Sequence, residues 1–251
     1  MLSYIHNCFT MSRRSIRHTF RNVDALITGI MLPVAILVLF VVIFGGAIQT
    51  GTSYVNYIVP GVILTCVGYG ASSTAMIVAR DMTTGLFNRF RSLPISLSSV
   101  LIGHIVGSMV RNSISTILVF AVAFALGFRP NADLGEWLAV IGLLLLVIAA
   151  ISWLATIFGL LVKSIDAASG ISFTIMFLPY ISSAFVPLHT LPKWLQGFAE
   201  HQPFTPIIET LRGLLIGTST ETWPIALAWS ISVLILTYFI AIILLKIRAR
   251  D

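Results

Sequence analysis

Residues 137–162 read WLAVIGLLLLVIAAISWLATIFGLLV, a run of 26 without a single charged side chain. Wound as an α-helix it is about 39 Å long, enough to cross the roughly 30 Å hydrocarbon core of a bilayer. Five more apolar runs lie on either side of it, over residues 25–47, 55–78, 97–126, 167–188 and 223–245. Lipid offers no water to backbone N–H and C=O groups, so each run must pair them within its own segment, as a helix does. A membrane β-barrel would instead show alternating segments of roughly ten residues, and the chain has none. The expected fold is therefore all-α and integral to the membrane, one transmembrane domain over residues 1–251 with six spans.

Composition leads the same way. Only 10% of the residues are charged and 57% are hydrophobic, with a mean hydropathy of +0.99. Soluble domains carry roughly 25% charged residues, so this chain cannot cover a water-facing surface. The net charge of +6 does not point to nucleic acid, because the basic residues sit at the ends of apolar runs, where they report topology. With both termini inside the cell, eleven lysines and arginines fall on the cytoplasmic side: Arg13, Arg14, Arg17, Arg21, Arg80, Arg89, Arg91, Lys163, Lys246, Arg248 and Arg250. Outside fall three, Arg129, Lys193 and Arg212, together with Asp133, Glu136, Glu200, Glu209 and Glu221. This bias predicts a multi-pass protein of the cell membrane with cytoplasmic termini. Trp137, Trp194 and Trp223 fall near the predicted outer interface, as an aromatic belt requires. The first apolar run reads as a span and not as a cleavable leader. Cys8 and Cys66 do not suggest a disulfide framework.

Three segments outside the spans carry further information. Residues 1–23 place Leu2, Ile5, Phe9, Ile16 and Phe20 among Arg13, Arg14 and Arg17, the pattern of an amphipathic helix lying on the inner leaflet. Residues 80–94 form the longest internal cytoplasmic stretch. Met82, Leu86, Phe90 and Leu93 recur there at helical spacing, beside Arg80, Asp81, Arg89 and Arg91, and Pro94 can end the helix. Such a helix offers an apolar stripe and a basic rim to a cytoplasmic partner; a helix resting on anionic lipid explains the same pattern. Residues 189–221 are too apolar for an ordinary outer loop. They suggest a short helix through Trp194 and Phe198, a break at Gln202-Pro203, and a second helix capped by Thr205 with Pro206 at its first position. Glu209 lies in its first turn and Gly217 can close it. Neither helix is long enough to span, so a re-entrant or interfacial hairpin is expected, its backbone shielded by protein.

The chain has no G-x-x-x-x-G-K-[ST] phosphate loop, no H-E-x-x-H or C-x-x-C pair, and no convincing base beside its intramembrane serines. It is not expected to be an enzyme by itself. No carboxylate falls near mid-membrane, where proton-driven transporters usually keep a relay. Arg111 is the one charge deep inside a span. His104, Ser108, Arg111 and Ser115 follow at i, i+4, i+7 and i+11, one face of a helix. That stripe is a candidate wall of a translocation path or a subunit interface; an arginine satisfied locally or by snorkelling is the plainer explanation.

The order and spacing of several fragments resemble the ABC-2 type transporter permeases, in particular the daunorubicin-resistance (DrrB-like) branch. They are Arg21, Pro33 and Phe44-Gly45; Tyr57-Ile58-Val59-Pro60-Gly61; and Asp81, Gly85 and Arg89-Phe90-Arg91-Ser92-Leu93-Pro94. Further on come Ser182-Ser183-Ala184-Phe185-Val186-Pro187, then Pro192, Trp194, Phe198, Gln202-Pro203-Phe204-Thr205 and Arg212. The family often has proline where this chain has Asn22-Val23-Asp24, and Glu where it has Asp81.

The resemblance implies an interfacial N-terminal helix, six spans, a cytoplasmic coupling helix over 80–94 and an extracellular re-entrant hairpin over 189–221. It implies two permeases, identical or different, working with two P-loop ATPase subunits that would bind ATP and magnesium, with no cofactor in this chain. In the coupling helix Leu86, Phe87 and Phe90 would make apolar contact with the ATPase, and Arg89 and Arg91 would meet acidic residues. The function implied is the permease of an exporter for a hydrophobic or amphipathic drug, antibiotic or lipid. Export of a lipid-linked polysaccharide by the same fold is an alternative, as is an ion-coupled secondary transporter.

Overall fold

The computed structural model describes residues 2–21, 23–48, 51–87 and 95–248, and among them every regular element is helical. Helix α1 (Leu2–Arg21) precedes α2 (Val23–Leu39), which runs without a break into a π-helical turn at Phe40–Phe44. Then follow α3 (Tyr54–Thr83), α4 (Leu97–Ala125), α5 (Leu134–Leu161) and α6 (Ile165–Phe177), the last tightening into a 3-10 turn at Leu178–Ile181. The short helices α7 (Lys193–His201) and α8 (Phe204–Ile216) form a hairpin, and α9 (Trp223–Arg248) is the last helix among the described residues.

Local chemistry sets several of these boundaries. Asp133 and Glu136 form a capping box: the Asp133 carboxylate accepts from the Glu136 N–H at 2.7 Å, and the Glu136 carboxylate accepts from the Asp133 N–H at 2.8 Å. Two otherwise orphaned donors are thereby satisfied where α5 begins. Ser164 caps α6 through the Ala167 N–H at 3.1 Å. Gly217, at φ +73°, closes α8 in the left-handed conformation that favours glycine.

Four of the six expected spans, α3, α4, α5 and α9, are long and apolar enough to cross a membrane. The other two contain shorter apolar helices, 29–44 and 165–181. The fifth run was expected to stay helical to residue 188, but α6 stops at Phe177 and its 3-10 extension at Ile181. Pro179 explains the stop: its ring removes an N–H donor and clashes with the carbonyl one turn back. Ser182 then turns the chain, donating to the Pro179 carbonyl while accepting from the Ala184 N–H.

The sequence placed Arg80 and Asp81 in a separate coupling helix, whereas α3 carries them in its last turn and runs on to Thr83. The break comes at Thr84-Gly85, where Gly85 has φ +71°. Leu86 and Phe87 begin the next helical turn. Asn88, Arg89, Phe90, Arg91 and Pro94 lie outside the described residues, as does Arg250. Thr205 is a further correction. It does not cap α8, whose N-cap is Pro203; its hydroxyl instead donates back to the Ala199 carbonyl and joins the two arms of the hairpin.

The main core is built around α3, whose Ile58, Val62, Ile63 and Leu64 are fully buried against α5 and the hairpin. A second cluster, toward the other end of the bundle, gathers Val78, Phe87, Leu101, Trp153, Leu160 and Leu245. The outer faces are equally apolar. Ile235, Leu236, Phe239 and Ile243 of α9 are all more than half exposed. Each such side chain left in water forfeits about 1.5–3 kcal/mol of burial, so this surface needs lipid as its solvent.

Candidate functional site

The polar stripe of α4 is buried inside the chain. His104 and Arg111 are each 8% exposed, Ser115 5% and Ser108 not at all. Ser108 is the centre of a hydroxyl network that joins three helices. Its Oγ lies 2.7 Å from Thr74 Oγ1 on α3 and 2.8 Å from Ser152 Oγ on α5, and it accepts from Asn112 Nδ2 at 3.2 Å. Arg111 donates through Nη2 to Thr74 Oγ1 at 2.8 Å, while its Nε has no partner. One turn toward the start of α4, His104 Nε2 lies 3.1 Å from Asp81 Oδ2, though without the alignment of a hydrogen bond. Asp81 therefore faces the stripe. The i, i+4, i+7 spacing that singled out His104, Ser108 and Arg111 also brings them together in space; what the spacing could not reveal is that α3 supplies the partners.

Helix α1 covers this end of α4. A Cβ on Gly103 would lie 2.9 Å from the Met11 backbone, and one on Gly107 would lie 2.9 Å from Ser15 Oγ. The contact is close because both positions lack a side chain. Met11, Ser15 and Thr19 form the packed face of α1, whereas Ile5, Phe9 and Phe20 on its apolar face are 56–67% exposed. Between α1, α3 and α4 remains a polar cavity of about 50 Å³ lined by Arg14, His18, Thr74, Asp81, His104 and Arg111.

At the opposite end of α3, Arg212 of α8 is 8% exposed. It donates to the Tyr57 carbonyl through Nε and Nη2, each at 3.2 Å, and to the Ser183 carbonyl through Nη2 at 2.7 Å. Gln202 Nε2 donates to the Ile181 carbonyl at 2.8 Å, and the Tyr54 hydroxyl donates to the Phe185 carbonyl at 3.1 Å. These bonds satisfy the carbonyls left free where the fifth apolar segment unwinds. Burial raises the Glu209 carboxyl above its ordinary range, an effect partly offset by Arg212. Pro203 sits at the bend of the hairpin, whereas Pro192 and Trp194 are at its periphery, with Trp194 81% exposed.

Of the residues expected to meet a partner ATPase, Phe87 is 5% exposed and belongs to the chain's own core, and Leu86 packs beside it. The family resemblance implied both as contact residues; an apolar side chain next to a charged segment looks the same in the sequence whether it faces inward or outward. Cys8 and Cys66 are both free thiols. Among the described residues no three His, Cys, Asp or Glu side chains gather as a metal site.

The comparison with known families decides what this assembly of apolar helices is. The ABC-2 type transporter family matches residues 6–216. The chain belongs to that family. Among curated relatives it is 28% identical over 212 residues to the daunorubicin resistance ABC transporter permease protein DrrB1 of Streptomyces coeruleorubidus, covering 82% of this chain and 74% of that protein. It is 26% identical over 216 residues to the "Probable doxorubicin resistance ABC transporter permease protein DrrC" of Mycobacterium tuberculosis (strain CDC 1551 / Oshkosh), covering 85% of this chain and 78% of that one. As an ABC-2 member the chain is a multi-pass transmembrane permease subunit and not a catalytic enzyme in its own right. The family match takes in α1, the α3–α4 junction and the α7–α8 hairpin, so the two polar assemblies described above both lie within it.

Proposed function

We propose that this chain is the permease subunit of an ATP-binding cassette exporter, moving a hydrophobic or amphipathic compound outward across the cell membrane with ATP hydrolysed by a separate subunit. The observation that carries this reading is the family match over residues 6–216, joined to relatives whose names specify daunorubicin and doxorubicin resistance. The physics of the chain is consistent with it. As the spans are read from the sequence no Asp or Glu falls near mid-membrane, and Asp81 sits in the last turn of α3 beside His104, so a mid-membrane proton relay finds no support and an outside source of energy is the simpler arrangement. The four long helices and the two shorter apolar segments make six passes in this reading, with the α7–α8 hairpin re-entrant on the outer side.

Energy enters through the stretch after Gly85. Phe87 roots that stretch in the permease core, and Arg89, Phe90 and Arg91 supply the face that docks on the ATPase. Two permeases, each with its ATPase, would shift the spans between two packings as the ATPases close.

The test is reconstitution of the chain with its P-loop ATPase in proteoliposomes, with doxorubicin as the probe compound. ATP-dependent, vanadate-sensitive transport is expected. Replacing Phe90 and Arg91 together by alanine should leave ATP hydrolysis and abolish transport. Transport driven by an ion gradient without nucleotide would overturn the reading.

A further inference from the structure

We propose that the cavity between α1, α3 and α4 is a binding site for a phosphate anion, supplied in the membrane by the headgroup of an anionic lipid. The proposal rests on the reading of α1 as a helix at the inner membrane surface.

Three observations converge on this cavity. The first is an unspent donor. Arg111 is buried and lines the cavity; Nη2 is engaged by Thr74, but Nε has no partner. A buried guanidinium donor without an acceptor is costly, and the arginine fork matches phosphate geometry.

The second is the charge and size of the lining. Arg14, His18, His104 and Arg111 surround one acid among the described residues, Asp81, and His104 stands 3.1 Å from it. The volume of about 50 Å³ accommodates roughly three or four water-sized centres, comparable to the oxygens of one phosphate group.

The third is location. Arg14 and His18 lie one turn apart on α1, on the edge of the face that packs against α4. Ile5, Phe9 and Phe20 on the apolar face of the same helix are open to the surroundings. Arg14 and His18 lie on the opposite, polar side of α1, so when the apolar face sinks into the acyl boundary they are turned toward the headgroups. The cavity then opens where lipid phosphates lie.

Arg13 and Arg17 provide the control. They are exposed on the same helix but do not line the cavity. A diffuse polybasic attraction would use the arginines of α1 alike, Arg13 and Arg17 included, whereas a built site uses Arg14 and His18 with Arg111.

The experiment purifies the full chain into nanodiscs of phosphatidylcholine containing a minority of phosphatidylglycerol and measures retained phosphatidylglycerol by native mass spectrometry. A parallel arm measures the thermal stability of the delipidated chain in detergent with and without inorganic phosphate. Preferential retention of phosphatidylglycerol is expected, reduced roughly tenfold by Arg111→Gln. The double variant Arg14→Gln/His18→Gln should have the same effect; both side chains are exposed, and the melting temperature of each variant without phosphate checks that the fold is kept. Arg13→Gln/Arg17→Gln should retain the lipid. Equal loss in both double variants, or no preference for phosphatidylglycerol over phosphatidylcholine, overturns the site. Stabilisation by inorganic phosphate that depends on Arg111, without phosphatidylglycerol retention, keeps the anion chemistry and overturns the lipid as its source. No transport is read in this assay. A chain that exports but fails here loses only this site, and one that binds lipid but needs no ATPase loses only the export reading.

Discussion

The guanidinium of Arg212 lies over the ring of Tyr57, 3.8 Å from its centroid, and donates to the carbonyl of the same residue. With the Ser183 carbonyl as third partner, one side chain ties α8 to the first turn of α3 and to the unwound end of the fifth apolar run, after Ile181. Lysine can keep the charge but neither the planar stack nor the fork. Arg212→Lys should therefore lower stability by about 2 kcal/mol or more, the scale of lost hydrogen bonds to a charged group. Thermal unfolding in detergent and faster tryptic cleavage at Lys193 would register it; an unshifted melting curve would mean that the hairpin is held elsewhere.

Glu209, one turn before Arg212, gives that end of the bundle a pH dependence. Its carboxyl is raised from the ordinary 4.5, chiefly by burial. The native state therefore binds the proton more tightly than the unfolded chain, and stability falls as pH rises from 4.5 through the raised native value. Above that value the full cost of the buried charge is present. Glu209→Gln should flatten this part of the stability profile, raising stability at neutral pH relative to the parent and leaving acidic pH nearly unchanged. A parallel downward shift at every pH would show that Glu209 acts by packing alone.

Ser108 and Ser152 offer a direct measure of the hydroxyl network. Their oxygens are 2.8 Å apart across α4 and α5. Hydrogen bonds between helices in a membrane average about 0.6 kcal/mol and reach about 1.7 in double-mutant cycles. The alanine cycle at these two positions should give a coupling in that range. A value near zero would indicate that Asn112 or Thr74 takes over the bond when one serine is removed.

Gly107 decides how closely α1 can approach α4. Any Cβ there meets Ser15, so Gly107→Leu should push α1 away at a cost of about 1–3 kcal/mol, as overpacking does. The readout is accelerated trypsin cleavage at Arg13 and Arg17 with the α3–α5 core intact. Unchanged cleavage would mean that α1 is held by lipid and not by α4.

The six apolar runs, the amphipathic first helix and the two-armed hairpin were all legible in the sequence, because each depends on the local order of apolar and polar residues. The capping box at Asp133 and Glu136 was legible too, as D-x-x-E directly before an apolar run. Other features depended on which partner a residue meets. Pro179 was visible, but its power to end the fifth helix depended on Ser182 and Gln202 being placed to satisfy the released carbonyls. Phe87 looked like a docking residue until its neighbours in the second core cluster were known.

The sequence by itself determined that this chain dissolves in lipid and how its helices are ordered, because apolar length and the distribution of basic residues act through the bilayer and need no tertiary contact. Only the tertiary structure decided that Asp81 faces His104, that Ser108 joins three helices and that α1 closes a cavity over Arg111. Such pairings bring together residues more than twenty positions apart through the packing of one helix on another, and the local pattern of residues along each helix does not specify them.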